Sequence, residues 1–178
     1  MQFMKSLTIS RPEKDEYNEF YQGYVSQVKD ELNLQELETQ IADLNAIYSP
    51  ISEEKGLFAY AEGKWTIKEV LGHIIDAERV FAYRIFRISR QDETPLEGFD
   101  ENEYVAKSRF NERTIAEMLE EFSLLRRANL LLLKSFDENV WLYRGTASGF
   151  PISVRALAYI MFGHAAHHAN ILRERYLN

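Results

Sequence analysis

The chain has no cysteine among its 178 residues. That excludes disulfides, thiolate metal ligands and a nucleophilic thiol supplied by the protein itself. Proline and glycine are few, at 4 and 8, so helices meet few natural interruptions. No run of about 18 apolar residues occurs, which excludes a membrane-spanning helix. The opening "MQFMKSLTISRPEKDEY" lacks the apolar stretch of a secretory signal. No cluster of lysine or arginine offsets the net charge of −7, so neither nucleic acid nor an anionic membrane is expected as a partner. These absences predict a cytoplasmic protein. Histidine is scarce too, with four in all, yet three of them fall together in "GHAAHHANILRERY".

What is present is an ordinary globular mixture, 46% hydrophobic and 28% charged. The length suits one domain, residues 1–178, large enough to bury a sizeable core. The pattern is helical nearly throughout. A short helix through "EYNEFYQGYVSQV" follows Pro12, and Asn33 opens a second through "LQELETQIADLNAIYS" that Pro50 ends. Thr66 and Glu69 have capping-box spacing and start a long helix running to about Arg90. Thr114 and Glu117 repeat the box ahead of "IAEMLEEFSLLRRANLLLLKSF". Turn residues in "RGTASGFP" then lead to Ser153, the N-cap expected for the last helix, "VRALAYIMFGHAAHHANILRERY". Only "LFAYA" and "VWLYR" offer short extended pieces.

Four long helices predict an all-α four-helix bundle. The first and second, and the third and fourth, are joined by about 15 residues each, the second and third by about 20. The longer link is able to cross the bundle, which gives up-down-down-up topology and leaves the second and third helices parallel. That link contains "EGFDENEY", which lacks the alternating acidic pattern of a calcium loop and reads as a crossover or lid.

A helix turns about 100° per residue, so His164 and His168 lie about 40° apart on one face, in the stripe of Leu157, Ile160 and Ile171. His167 falls at the stripe's edge. His73 shares a face of its own helix with Glu69, Val80 and Arg84, and Asp76 is one turn on. His73 stands about seven residues after its helix starts and His168 about seven before its helix ends, which are equal heights if the two run antiparallel. Neutral imidazoles bind Zn²⁺, Ni²⁺, Cu²⁺ or Fe²⁺, and H-x-x-x-H directs two at one ion. A lone buried histidine is more often a hydrogen-bonded core residue. Two facing inward with a third at matching height favour a metal, and three protein ligands leave coordination positions open, as catalytic sites do. The H-E-x-x-H of zinc proteases is absent, because Ala165 stands at the glutamate position. The Glu-x-x-His of di-iron bundles is absent too, with Met161 and Val70 three residues before His164 and His73.

Two segments, "GKWTIKEVLGHIIDAERVFAYRIFRISRQDETPLEGFDENEY" and "ISVRALAYIMFGHAAHHANILRERY", resemble the DinB-like family of metal-binding four-helix bundles, the DNA-damage-inducible type, and the resemblance spans nearly the whole chain. The family's one-plus-two histidine pattern falls on His73, His164 and His168. The resemblance implies one divalent metal ion per chain, with zinc or nickel expected, and a homodimer. It implies an enzyme acting on a small-molecule substrate: a thiol S-transferase using a diffusible low-molecular-weight thiol, or alternatively a metal-dependent hydrolase. A non-catalytic metal-binding stress-response protein is the reading from another class. Asp76 is the candidate catalytic base, or an acceptor that orients His73, or a solvated helix carboxylate. Arg84 is the candidate for holding an anionic substrate, with Arg87 beside it, unless each pairs with an acid of a neighbouring helix. Trp65 and Tyr83 read as core or rim packing.

Overall fold

The computed structural model describes residues 8–29 and 31–178. Strands β1 (Thr8–Ile9) and β2 (Leu32–Asn33) pair antiparallel around the short helix α1 (Gln22–Val25). The bundle is formed by α2 (Leu34–Tyr48), α3 (Ile67–Ser89), α5 (Ile115–Lys134) and α6 (Val154–Ile171). A seven-residue helix, α4 (Glu101–Lys107), lies within the crossover between α3 and α5. Strands β3 (Arg144–Ala147) and β4 (Phe150–Ser153) form a hairpin ahead of α6.

The starts of the bundle helices are chemically dictated. Thr66 Oγ1 accepts from the Glu69 N–H at 3.1 Å while Glu69 Oε2 accepts from the Thr66 N–H at 2.8 Å, so two orphan donors of α3 are satisfied reciprocally. Thr114 and Glu117 do the same for α5. Asn33 and Ser153 cap α2 and α6 through single side-chain bonds to Gln35 and Ala156. The α3 helix ends where Gln91 turns to a φ of 57°, and α6 continues into a π-turn over Leu172–Tyr176.

Cross-links fix the directions. Tyr176, after the end of α6, donates to the Trp65 carbonyl just before α3 at 2.8 Å, so these two helices run antiparallel. Asn111, just before α5, donates to Glu69 in the first turn of α3 at 2.9 Å, so α3 and α5 run parallel. The up-down-down-up bundle expected from the long crossover is therefore the observed fold.

Three local expectations changed. The segment read as one helix after Pro12 is broken into 3₁₀ turns at Lys14–Glu16 and Glu19–Tyr21 before α1. The turn sequence "RGTASGFP" is a β-hairpin, closed by Ser148 and Gly149 with φ of 53° and 81°, the two positive angles a type I′ turn requires. Of the two pieces read as extended, Leu57 ends a 3₁₀ turn, and "VWLYR" is mostly the 3₁₀ turn Glu138–Leu142 with only Arg144 in a strand. No described helix is long and apolar enough to cross a membrane.

The apolar core falls into two clusters. One gathers Leu37, Ala77, Phe81, Leu130, Leu157, Ile160 and Met161 toward the hairpin. The other gathers Ile41, Val70, Ile74, Phe122, Ala165 and Ala169 toward the opposite end. Between them every bundle helix contributes buried polar groups: Gln40 from α2, His73 and Glu78 from α3, Arg126 from α5, and His164 and His168 from α6. That polar layer contains the candidate site.

Candidate metal centre

The three histidines meet. His73 Nε2 lies 2.9 Å from His164 Nε2, and one ligand atom from each of the three rings falls within 4.8 Å of the others. All three are buried, and His168 Nε2 has no hydrogen-bond partner among the described residues. A His73–His164 hydrogen bond satisfies at most one donor–acceptor pair and leaves that third nitrogen orphaned, which a buried polar atom rarely tolerates. A divalent cation satisfies all three at once. Burial holds His73 down to about 4 and His168 to about 3, and pushes His164 well below the ordinary 6.5, with the neighbouring histidines adding to it. The set therefore presents neutral imidazoles at neutral pH, the protonation state that metal ligation requires. The residues fit a divalent metal ion.

His167, at the edge of the stripe, is half-buried and is not one of the converging group. Its ring stands 5.3 Å from Tyr24, which is also 5.2 Å from His164. The close approach of α1 that brings Tyr24 there depends on Gly163: a Cβ at that position would lie 1.9 Å from the Tyr24 carbonyl oxygen.

The centre opens into a cavity of about 470 Å³. His73, Ala77 and Phe81 of α3 line it in four-residue steps, with Trp65 packed 4.7 Å from His73. Phe99 and Glu101 from the crossover, Ser148 and Phe150 from the hairpin, and Tyr21 and Tyr24 from the N-terminal segment complete the walls. The crossover is seated there by Leu96, which pairs with the hairpin through Leu96 N–H to Thr146 O and Ser148 N–H to Leu96 O, each at 2.9 Å. Trp65 thus belongs to the cavity, whereas Tyr83 is exposed beside Arg87. Tyr24, Phe99 and Ser148 carry no motif that marks them, because their elements reach the site only through tertiary packing.

The other candidates lie apart from the three rings. Asp76 is half-buried, pairs with Arg79 at 3.7 Å, and does not line the cavity. Burial raises its pKa, against the pull of Arg79, with Glu121 raising and Arg113 lowering it further. Arg87 pairs with Asp92. Arg84 is fully buried, with Nη2 donating to the Glu97 carbonyl at 2.8 Å and to Ser148 Oγ at 2.9 Å.

A family model for the DinB superfamily matches residues 36–172. The chain belongs to the DinB superfamily. No curated protein matches its sequence. Among solved structures, this DinB-superfamily chain is similar to YfiT from Bacillus subtilis, described as a probable metal-dependent hydrolase with an unusual four-helix bundle topology. The TM-score is 0.72 at 17% identity, over 93% of this chain and 91% of that one. It is also similar to a mycothiol-dependent maleylpyruvate isomerase, with a TM-score of 0.61 at 17% identity, over 78% of this chain. The match spans 60% of the isomerase's own length. At that identity the likenesses establish the fold.

Proposed function

We propose that this chain is a divalent-metal-dependent enzyme whose ligands are His73, His164 and His168, and that it transfers a low-molecular-weight thiol to a small electrophile. The observation that carries the reading is the convergence of three neutral, buried imidazoles, one with an orphaned Nε2, in the wall of a cavity. A divalent ion held there, Zn²⁺ or Ni²⁺, would make a thiol or a water that reaches it acidic near neutral pH. Since the chain has no cysteine, any thiol must arrive as a diffusible co-substrate. Trp65, Phe81 and Phe99 supply apolar walls for the electrophile and limit water beside it, while Tyr24 and Ser148 offer hydroxyl donors within the same cavity. Asp76 stands outside the proposed proton transfers, because it pairs with Arg79 and does not line the cavity.

Hydrolysis is the second reading, supported by the description given to YfiT. The two differ in what they consume. Metal-loaded protein is incubated with a halogenated aromatic and a panel of biological thiols, and separately with esters and amides without thiol. Thioether formation strictly dependent on thiol and lost in His168→Ala supports transfer; thiol-independent turnover supports hydrolysis. Silence of both panels with the metal site filled overturns the enzymatic reading in favour of metal binding alone. A homodimer is part of the proposal, and light scattering should give twice the chain's 20.9 kDa.

A further inference from the structure

Arg84 is the one α3 arginine sealed inside the protein. Arg79 and Arg87, on the same helix, each hold a carboxylate, from Glu121 and Asp92. Arg84 is 1% exposed and has no carboxylate partner among the described residues. Its Nη2 is used by Glu97 and Ser148, but Nη1 is buried without any hydrogen-bond partner. A buried guanidinium that is neither paired nor fully hydrogen-bonded is costly, and such a charge is normally neutralised by something.

Its position says by what. His73, Ala77 and Phe81 line the cavity in four-residue steps, and Arg84 lies on the same face about 16 Å beyond His73 along the helix axis, behind the wall rather than in it. Two groups it touches are themselves cavity walls: Ser148, through the hydrogen bond, and Phe99, whose ring centroid is 5.9 Å from the guanidinium carbon. The carboxylate that lines the cavity, Glu101, exerts its charge on Tyr24. We infer that the cavity takes a small carboxylate with an apolar body, its charged end drawn to Ser148 by the Arg84 guanidinium behind it and its body running along Phe81 and Phe99 toward the three histidines. One uncompensated positive charge matches a monoanion, and at a buried site that attraction is little screened. The inference rests on reading this cavity as the substrate site, and it specifies the class of substrate.

The probes are 4-phenylbutyrate and its uncharged analogue 4-phenylbutyramide, titrated into full-length protein stripped of metal. Calorimetry and the indole N–H resonance of Trp65 report binding. The acid is expected to bind at least about tenfold more tightly than the amide, the scale of one close, poorly screened charge pair. In Arg84→Gln the ratio falls to about one, while Ser148→Ala, which keeps the guanidinium, retains most of it. Equal binding of acid and amide to the wild type, no binding of the acid, or a preference that survives Arg84→Gln would overturn the inference. The wild-type comparison decides even if Arg84→Gln fails to fold. Because these titrations contain no metal, a lost acid preference leaves the histidine assignment standing. Absent metal uptake likewise leaves the preference measurable.

Discussion

The polar layer across the bundle has two halves that treat buried polarity in opposite ways. On one side of α3, Glu78 receives both Arg126 Nε and Nη2 at 2.8 Å and Asn129 Nδ2 at 2.8 Å. Arg126 Nη1 reaches Gln40, whose own amide donates to the Phe162 carbonyl at 2.9 Å, and the guanidinium lies over the Phe122 ring. Each member is closed by another part of the chain. On the other side, His168 Nε2 and, farther along the helix, Arg84 Nη1 end without partners. Both halves are equally buried, so burial does not separate structure from function. Satisfaction distinguishes them: the closed half holds all four bundle helices in register, and the open half has polar nitrogens without a partner among the described residues.

Breaking the closed half should cost the most. Glu78→Ala leaves Arg126 charged and unpaired in the core and should lower unfolding free energy by about 3–5 kcal/mol in urea titrations. A loss below about 1 kcal/mol would mean that this pair is not a structural element.

The open half should respond to pH instead. In the metal-free protein the unfolded chain takes up protons below the ordinary imidazole value of 6.5, while folded His73 and His168 resist until about 4 and 3. The depressed folded values mean that stability is full above 6.5 and is lost as pH falls from there toward 4. The loss should be on the order of 2 kcal/mol for each of the two between pH 7 and 5. Bound metal should suppress proton uptake and flatten the profile, which thermal melts with and without metal will show.

The seam between α1 and the site comes next. Gly163→Ala places a Cβ against the Tyr24 carbonyl, a backbone atom that cannot rotate away. A loss of about 1–3 kcal/mol is expected, together with displacement of the Tyr24 ring from His164, visible as an NMR shift.

The sequence carried most of this architecture. Capping residues at Asn33, Thr66, Thr114 and Ser153 set the helix starts, and the i, i+4 spacing of His164 and His168 put two rings on one inward face. What helical periodicity cannot supply is the neighbour that a given angle faces. Asp76 and Ala77 are adjacent, yet Ala77 lines the cavity and Asp76 stands with Arg79. Helix α4 was hidden by the charge of "EGFDENEY", although Asp100, which caps it by accepting from Asn102 and Glu103, is a readable start signal. Periodicity leaves Arg84 free either to bind an anion or to pair with a neighbouring helix, and only the tertiary structure shows that no carboxylate among the described residues pairs with it.

Asp76→Asn should have the smallest effect. Its contact with Arg79 is partly exposed, and Arg79 keeps Glu121, so stability should change by less than about 1 kcal/mol. Metal uptake should stay at the wild-type level. A large loss of metal in this variant would bring Asp76 into the centre.

The central claim is that the open half of the layer is a metal site made by three particular histidines. Its direct test is the metal content of protein prepared without a histidine tag, loaded with Zn²⁺ or Ni²⁺ and dialysed to equilibrium, for the wild type and four single alanine variants. One ion per chain is expected in the wild type, with near-complete loss in His73→Ala, His164→Ala and His168→Ala, and retention in His167→Ala. No uptake by the wild type, or equal losses across all four variants, would contradict it.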